Sequence, residues 1–204
     1  MSRLISIILG SLFVIISFYF GFRGNEKVLQ KMYAGDYEYV GSNQLSAETS
    51  SYLLKYKDSP IHWYAWKKEA FLTALKQKKL IYLNIGHLNC EACDKMDSET
   101  LRDDAVVSLL NKSFISIKVD REEHPEIQDV YKDAVSLISR RSDYPLNVFL
   151  TADMKPFFGD SLIDSKSFYS IAERISKVWH TDPKEISDAV TTLQDLIRKK
   201  YSPK

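Results

Sequence analysis

The chain carries its only two cysteines three residues apart, as Cys90-Glu91-Ala92-Cys93. An apolar run at residues 80–86 precedes them and reads as a strand, and the residues that follow have helical spacing. Two thiols in the first turn of a helix can close a disulfide, and the helix N-terminus lowers the pKa of the first one. The chemistry this pattern favours is dithiol–disulfide exchange. Half of a zinc site is the alternative use of the pair, but structural zinc takes four ligands and the chain has no second C-x-x-C. His87 would be a third ligand, and the fourth would have to come from His62, His124, His180 or a carboxylate. Two inert thiols are the remaining reading. The expectation is no metal and no cofactor, since no glycine-rich phosphate loop is present.

The elements that must position the thiols can be read from periodicity. Residues 66–77 place apolar side chains at 66, 70, 71, 74 and 75 with lysines between them, an amphipathic helix leading into the strand at 80–86. The cysteine helix should run over 90–111 with a break near 97–103. A strand at 114–120 alternates through Phe114, Ser116 and Lys118, and 124–138 repeats apolar residues at helical spacing. Tyr144-Pro145 precedes a third strand at 146–151, and a fourth follows at 155–158. Helices at 165–179 and 183–200 close the chain, the second with Pro183 in its first turn after Asp182. The order βαβα then ββα predicts a parallel pair, an antiparallel hairpin and a covering helix, which is the thioredoxin arrangement. In such a sheet, Cys90 falls at the carboxyl end of a strand, where loops and helix N-termini converge.

Composition bounds the rest. At 204 residues there is room for one ordinary domain with extensions, and 28 Lys and Arg against 27 Asp and Glu give no broad electrostatic case for nucleic acid. Residues 4–22 carry no charge and approach the length of a membrane span. Residues 1–23 are therefore expected to be a signal peptide or membrane anchor; the bulky Phe18, Tyr19 and Phe20 make poor cleavage positions and favour the anchor. Residues 24–50, interrupted by Gly35, Gly41, Ser42 and Asn43, are expected to be a linker or arm, and 51–204 the folded domain. Export would attach the domain to the membrane through this segment. Both thiols lie in the motif, which leaves none for structural disulfides.

Several ordered blocks carry a family likeness. They are Ser51-Tyr52-Leu53-Leu54, Trp63-Tyr64 with Trp66, Glu69-Ala70-Phe71, Cys90-x-x-Cys93 with Met96, Ser116-Ile117-Lys118-Val119-Asp120-Arg121-Glu122-Glu123, and Pro145-Leu146-Asn147-Val148-Phe149-Leu150-Thr151 with Lys155-Pro156-Phe157-Phe158-Gly159. Together they resemble the thioredoxin-like family that contains the periplasmic oxidoreductase DsbH and the N-terminal domains of spermatogenesis-associated thioredoxin-like proteins. The likeness spans residues 51–179. It implies an α/β thioredoxin-like fold with a central mixed sheet flanked by helices. It also implies Cys90 as attacking thiol, Cys93 as resolving thiol, and Pro145 as the cis-proline facing them. With Tyr144, Pro145 would contact an extended protein substrate. The implied partners are protein disulfides and an electron donor, a membrane protein being one candidate. With export, the likeness implies a bacterial periplasm or cell envelope as the location.

The sequence departs from that pattern in places. Thioredoxins carry a buried carboxylate six residues before the first cysteine, where this chain has Asn84, so another group must take up the proton of the resolving thiol. Glu91 and Asp94 put negative charge beside Cys90, which raises its thiol pKa and favours a reductase or isomerase; Arg140 and Arg141 would push the other way if their loop lies close. His87 is placed to modulate the Cys90 pKa. The expected function is protein-disulfide reduction. An oxidase or isomerase is the alternative, as is a non-catalytic membrane-anchored binding module that uses the face around Tyr144-Pro145.

Overall fold

The structure, a computed structural model, describes residues 41–202. The apolar segment at 1–23 and the first part of the 24–50 arm lie outside the described residues. Among the described residues, no helix is long and apolar enough to cross a membrane.

A turn of 3-10 helix at Leu45–Ala47 leads to a short helix α1 (Ser51–Leu54) and a two-residue strand β1 (Trp63–Tyr64). Then follow α2 (Lys68–Gln77), β2 (Leu80–Gly86), α3 (Glu91–Glu99), α4 (Asp104–Ser113), β3 (Phe114–Asp120) and α5 (Pro125–Ser139). The hairpin β4 (Leu146–Leu150) and β5 (Pro156–Asp160) precedes α6 (Ser165–Thr181) and α7 (Pro183–Tyr201). The sheet order is β1-β3-β2-β4-β5. β1, β3 and β2 are parallel, and β4 runs antiparallel to β2 and to β5.

The expected βαβ pair and hairpin are present, and the sheet gains an edge strand that periodicity does not show. Trp63 and Tyr64 belong to that strand, which at two residues is too short to display a period. The alternation read in residues 114–120 suggests a half-buried strand, yet all seven residues of β3 are buried, as are all seven of β2. Both lie inside a sheet covered on both faces, where polar residues need partners rather than water.

Helices divide between the faces according to where their apolar stripes point. Ala70, Phe71 and Ala74 of α2 and Ile127, Tyr131 and Val135 of α5 pack on Ile81, Leu83 and Ile85. On the other face, Tyr82 meets residues of α1, α3, α4 and α6, including Tyr52, Met96, Leu110 and Phe168. Phe149 joins the same cluster, its ring 5.4 Å from Tyr82 and 5.3 Å from Phe114. Burying side chains of this size contributes about 1.5–3 kcal/mol each. The packing starts before residue 51: Leu45 is fully buried, and the Asn43 amide donates to the carbonyls of Tyr56 and Ser59.

The cysteine helix breaks where the sequence suggests. α3 ends at Glu99, and Asp103 starts α4 by accepting from the backbone N–H groups of Ala105 and Val106. Thr100 at the break donates to the carbonyl of Ile163 and is thereby tied to the segment before α6.

Candidate functional site

Cys90 is the N-cap of α3 and follows the carboxyl end of β2 by four residues. It is bonded to Cys93, with the two Cα atoms 5.2 Å apart. The Cys93 backbone N–H donates to Cys90 Sγ at 3.1 Å, so the sulfur takes one of the orphan donors of the helix N-terminus. The two cysteines differ in exposure. Cys90 retains 7 % of its surface, whereas Cys93 retains 0 %. Of the two bonded residues, Cys90 is the one that retains contact with solvent. Among the described residues, no three His, Cys, Asp or Glu side chains converge as ligands for a metal ion.

The loop before the motif meets the segment before β4 through aromatic rings. The Tyr144–Pro145 peptide is cis, Pro145 is buried, and β4 starts at the next residue. The Tyr144 ring stands edge-on to the His87 ring, with centroids 5.3 Å apart. The guanidinium of Arg121 lies 4.8 Å from the centre of the Tyr144 ring, a cation–π contact. The Arg121 backbone N–H donates to the carbonyl of Gly86, which ties this cation to the end of β2. Leu88, in the loop before Cys90, is 45 % exposed and supplies apolar surface beside the motif. Burial lowers the pKa of His87, with Arg121 adding to the effect and Glu122 and Asp120 opposing it. His87 is thus held toward its neutral form.

The charges expected to act on Cys90 are arranged differently from their order in sequence. Asp94 is paired with Lys55 and also accepts from the Tyr56 hydroxyl at 3.2 Å, so its field at the thiols is largely compensated. Glu91 is exposed. Arg141 pairs with Asp160 at 2.9 Å, and Arg140 ends α5 in the left-handed conformation. Two cations lie over the Tyr144 ring, Arg121 at 4.8 Å and Lys132 at 5.9 Å from its centre.

Beneath the motif runs a buried polar row that sequence reasoning missed. Lys118, fully buried, donates to Asn84 Oδ1 at 2.9 Å and to Asp97 at 3.0 and 3.2 Å. Its Nζ also lies 3.9 Å from the centre of the Tyr56 ring and 4.9 Å from that of Trp63. Asn84 Nδ2 donates to Asn147 Oδ1 at 2.9 Å, and the Tyr82 hydroxyl donates to the same oxygen at 2.7 Å. Asn147 in turn donates to the Ser161 carbonyl at 2.6 Å. Desolvation lowers the Lys118 pKa, and Asp97 opposes it. A lysine inside an apolar strand was the available signal, because a charge there requires a partner.

A helix N-terminus carrying a Cys-x-x-Cys disulfide at the end of a central strand, on a mixed sheet with a cis-proline hairpin, defines a thioredoxin-like protein. The match to the family Thioredox_DsbH (protein of unknown function, DUF255) covers residues 42–198, and the chain belongs to that family. Spermatogenesis-associated protein 20 of Rattus norvegicus is 35 % identical over 160 residues, which is 74 % of this chain and 20 % of that protein. The Homo sapiens protein of the same name is 35 % identical over 159 residues, again 74 % and 20 %. The uncharacterized protein B0495.5 of Caenorhabditis elegans is 40 % identical over 117 residues, or 57 % and 16 %. The chain therefore spans about a fifth of the length of these relatives. Among solved structures, a DsbH oxidoreductase matches with TM-score 0.48 and 15 % identity over 73 % of this chain and 99 % of that one. A thioredoxin from Thermus thermophilus matches with TM-score 0.48 and 19 % identity, covering 60 % and 97 %.

Proposed function

We propose that the protein is a thiol–disulfide oxidoreductase that reduces protein disulfides through Cys90 and Cys93. The observation that carries this reading is a Cys90–Cys93 disulfide at a helix N-terminus in which the first cysteine is the more exposed of the two. In the cycle, the Cys90 thiolate attacks a substrate disulfide. A Cys90–substrate bond forms, the substrate bond breaks, and one substrate sulfur leaves and takes a proton. Cys93 then attacks Cys90 Sγ, the mixed disulfide breaks, and the second substrate thiol departs. Two electrons pass from the dithiol to the substrate, and the Cys90–Cys93 disulfide is left. A dithiol donor returns two electrons and two protons to reset it.

The side chains around the motif suit this work. Tyr144, held between His87 and Arg121, and the exposed Leu88 offer a partly apolar face to a substrate segment, and the backbone before Pro145 is available to pair with an extended chain. Arg141 is engaged by Asp160 rather than by the thiolate, and a thiolate with less stabilisation makes the dithiol a stronger electron donor. The potential expected is roughly −230 to −280 mV. A site in the cell envelope, attached through residues 1–23 and recharged by a membrane donor, is part of the proposal and rests on the apolar sequence of that segment.

Titration of the full-length protein, held in detergent, against glutathione redox mixtures tests the reading, with the Cys90–Cys93 disulfide quantified by acid trapping and mass spectrometry. A reversible couple in the stated range supports a reductase. A couple near about −120 mV would make the protein an oxidase, and no reversible couple would leave only a binding module.

A further inference from the structure

The resolving cysteine poses a chemical difficulty. Cys93 is fully buried, and reduction must create there either a thiol that gives up its proton or a thiolate cut off from water. Asn84, at the position of the buried carboxylate of thioredoxins, cannot help. Its carbonyl already accepts from Lys118 and its amide donates to Asn147.

A tyrosine hydroxyl shares the space beside Gly86 with the Cys93 sulfur. A Cβ placed on Gly86 would lie 2.2 Å from Tyr52 Oη and 2.9 Å from Cys93 Sγ. The hydroxyl and the sulfur therefore crowd onto the same bare edge of β2, which only glycine leaves open. Tyr52 is 1 % exposed, and its hydroxyl has no hydrogen-bond partner among the described residues. Leaving such a group unsatisfied in the core is unfavourable. In the oxidised protein, the nearby sulfur belongs to a neutral disulfide and is a weak acceptor; in the reduced protein it must ionise to a thiolate to resolve the mixed disulfide, and a thiolate accepts strongly.

We propose that the Tyr52 hydroxyl donates a hydrogen bond to the Cys93 sulfur when the disulfide is reduced, stabilising the thiolate that resolves the mixed disulfide. This inference rests on the redox function proposed above. During resolution, the Cys93–Cys90 bond forms and the Cys90–substrate bond breaks. The departing substrate thiolate takes up the proton equivalent that Cys93 released. Tyr52 keeps its own proton throughout, acting as a donor and not as a base. Burial raises its pKa well above the ordinary value, and the charges and hydroxyls that face it, Tyr56, Asp97, Tyr82 and Asp120, raise it further. Lys118 Nζ lies 5.5 Å from the centre of the Tyr52 ring, and Lys55 pairs with Asp94 nearby.

The fold fixes the hydroxyl in place. Ser50 Oγ accepts from the Leu53 backbone N–H, capping α1, and donates to Asp120 Oδ2 at 2.6 Å. Asp120 is the strand partner of Gly86. The short helix bearing Tyr52 is thereby pinned to the end of the sheet, next to the motif.

The test compares full-length wild type, Tyr52→Phe and Tyr131→Phe. The Tyr131 hydroxyl donates to the Met154 carbonyl, and its ring packs in the cluster on the opposite face of the sheet. Each protein is equilibrated with reduced and oxidised glutathione, two glutathione thiols supplying the two electrons and two protons that open the disulfide. The expected result for Tyr52→Phe is a roughly tenfold smaller equilibrium constant for reduction, which is a potential about 30 mV more negative. The mixed disulfide between Cys90 and glutathione should also resolve more slowly, while Tyr131→Phe matches wild type in both. Wild-type exchange together with an unchanged constant and resolution rate in Tyr52→Phe would overturn this inference alone. Absence of exchange in wild type would overturn the redox function and this inference with it.

Discussion

Asn84 and Lys118 are register partners on the adjacent parallel strands β2 and β3, and the lysine donates to the asparagine carbonyl at 2.9 Å. Asn147 is the partner of Asn84 on the other side, so one polar row crosses three strands of the buried sheet. Lys118 carries the charge among these three residues, and Asp97, reaching in from α3, balances it. The helix that carries the cysteines is in this way fastened to the sheet by an ion pair. Its worth lies less in net stability than in the cost of removing one member, because desolvation offsets much of the attraction.

Lys118→Ala should therefore destabilise the protein by about 3 kcal/mol, since it leaves Asp97 without its cation and the Asn84 carbonyl without a donor. Urea unfolding followed by tryptophan fluorescence would measure it. A loss under half a kilocalorie would mean that the row is not a structural fastening.

Gly86→Ala should fail for a steric reason. The added carbon would meet the Tyr52 hydroxyl at 2.2 Å and the Cys93 sulfur at 2.9 Å, and both groups belong to well-packed surroundings. Overpacking of this kind costs about 1–3 kcal/mol. The paired variant Gly86→Ala with Tyr52→Phe should recover part of the loss, and equal stability of the single and double variants would contradict the geometry.

The unequal exposure of the two cysteines predicts unequal alkylation. In Cys93→Ser the remaining Cys90 should react readily with iodoacetamide, whereas in Cys90→Ser the buried Cys93 should react roughly a hundredfold more slowly. Mass spectrometry of timed, quenched samples gives both rates. Comparable rates would remove the assignment of Cys90 as attacking thiol.

His87 supplies a pH dependence. Burial, aided by Arg121, depresses its folded-state pKa below the ordinary value of 6.5, so the unfolded chain binds the proton more readily than the native one. The native state is then favoured least where His87 must be charged. Stability should fall as pH drops below about 6.5, the decline attributable to His87 ending once the pH is below its folded value. His87→Gln should show a flatter profile across that window in urea titrations at successive pH values. Identical slopes for the two proteins would place His87 in a solvated position.

The sequence by itself showed the Cys90-x-x-Cys93 pair and most of the scaffold around it. The strands at residues 80–86 and 114–120, the break in the cysteine helix and the position of Tyr144-Pro145 before a hairpin strand were all legible, because local periodicity and turn chemistry act over a few residues. What surrounds the thiols was decided by the tertiary structure. Tyr52 and Gly86 are far apart in sequence but share one point in space, and Lys55, close to Tyr52 along the chain, neutralises Asp94 of the cysteine helix. Lys118, Asn84 and Asn147 read as polar interruptions of three separate strands until the sheet order brings them into one row. The physical reason is that burial and partner choice depend on which strands become neighbours. That follows from the packing of the whole chain, and no window of sequence contains it.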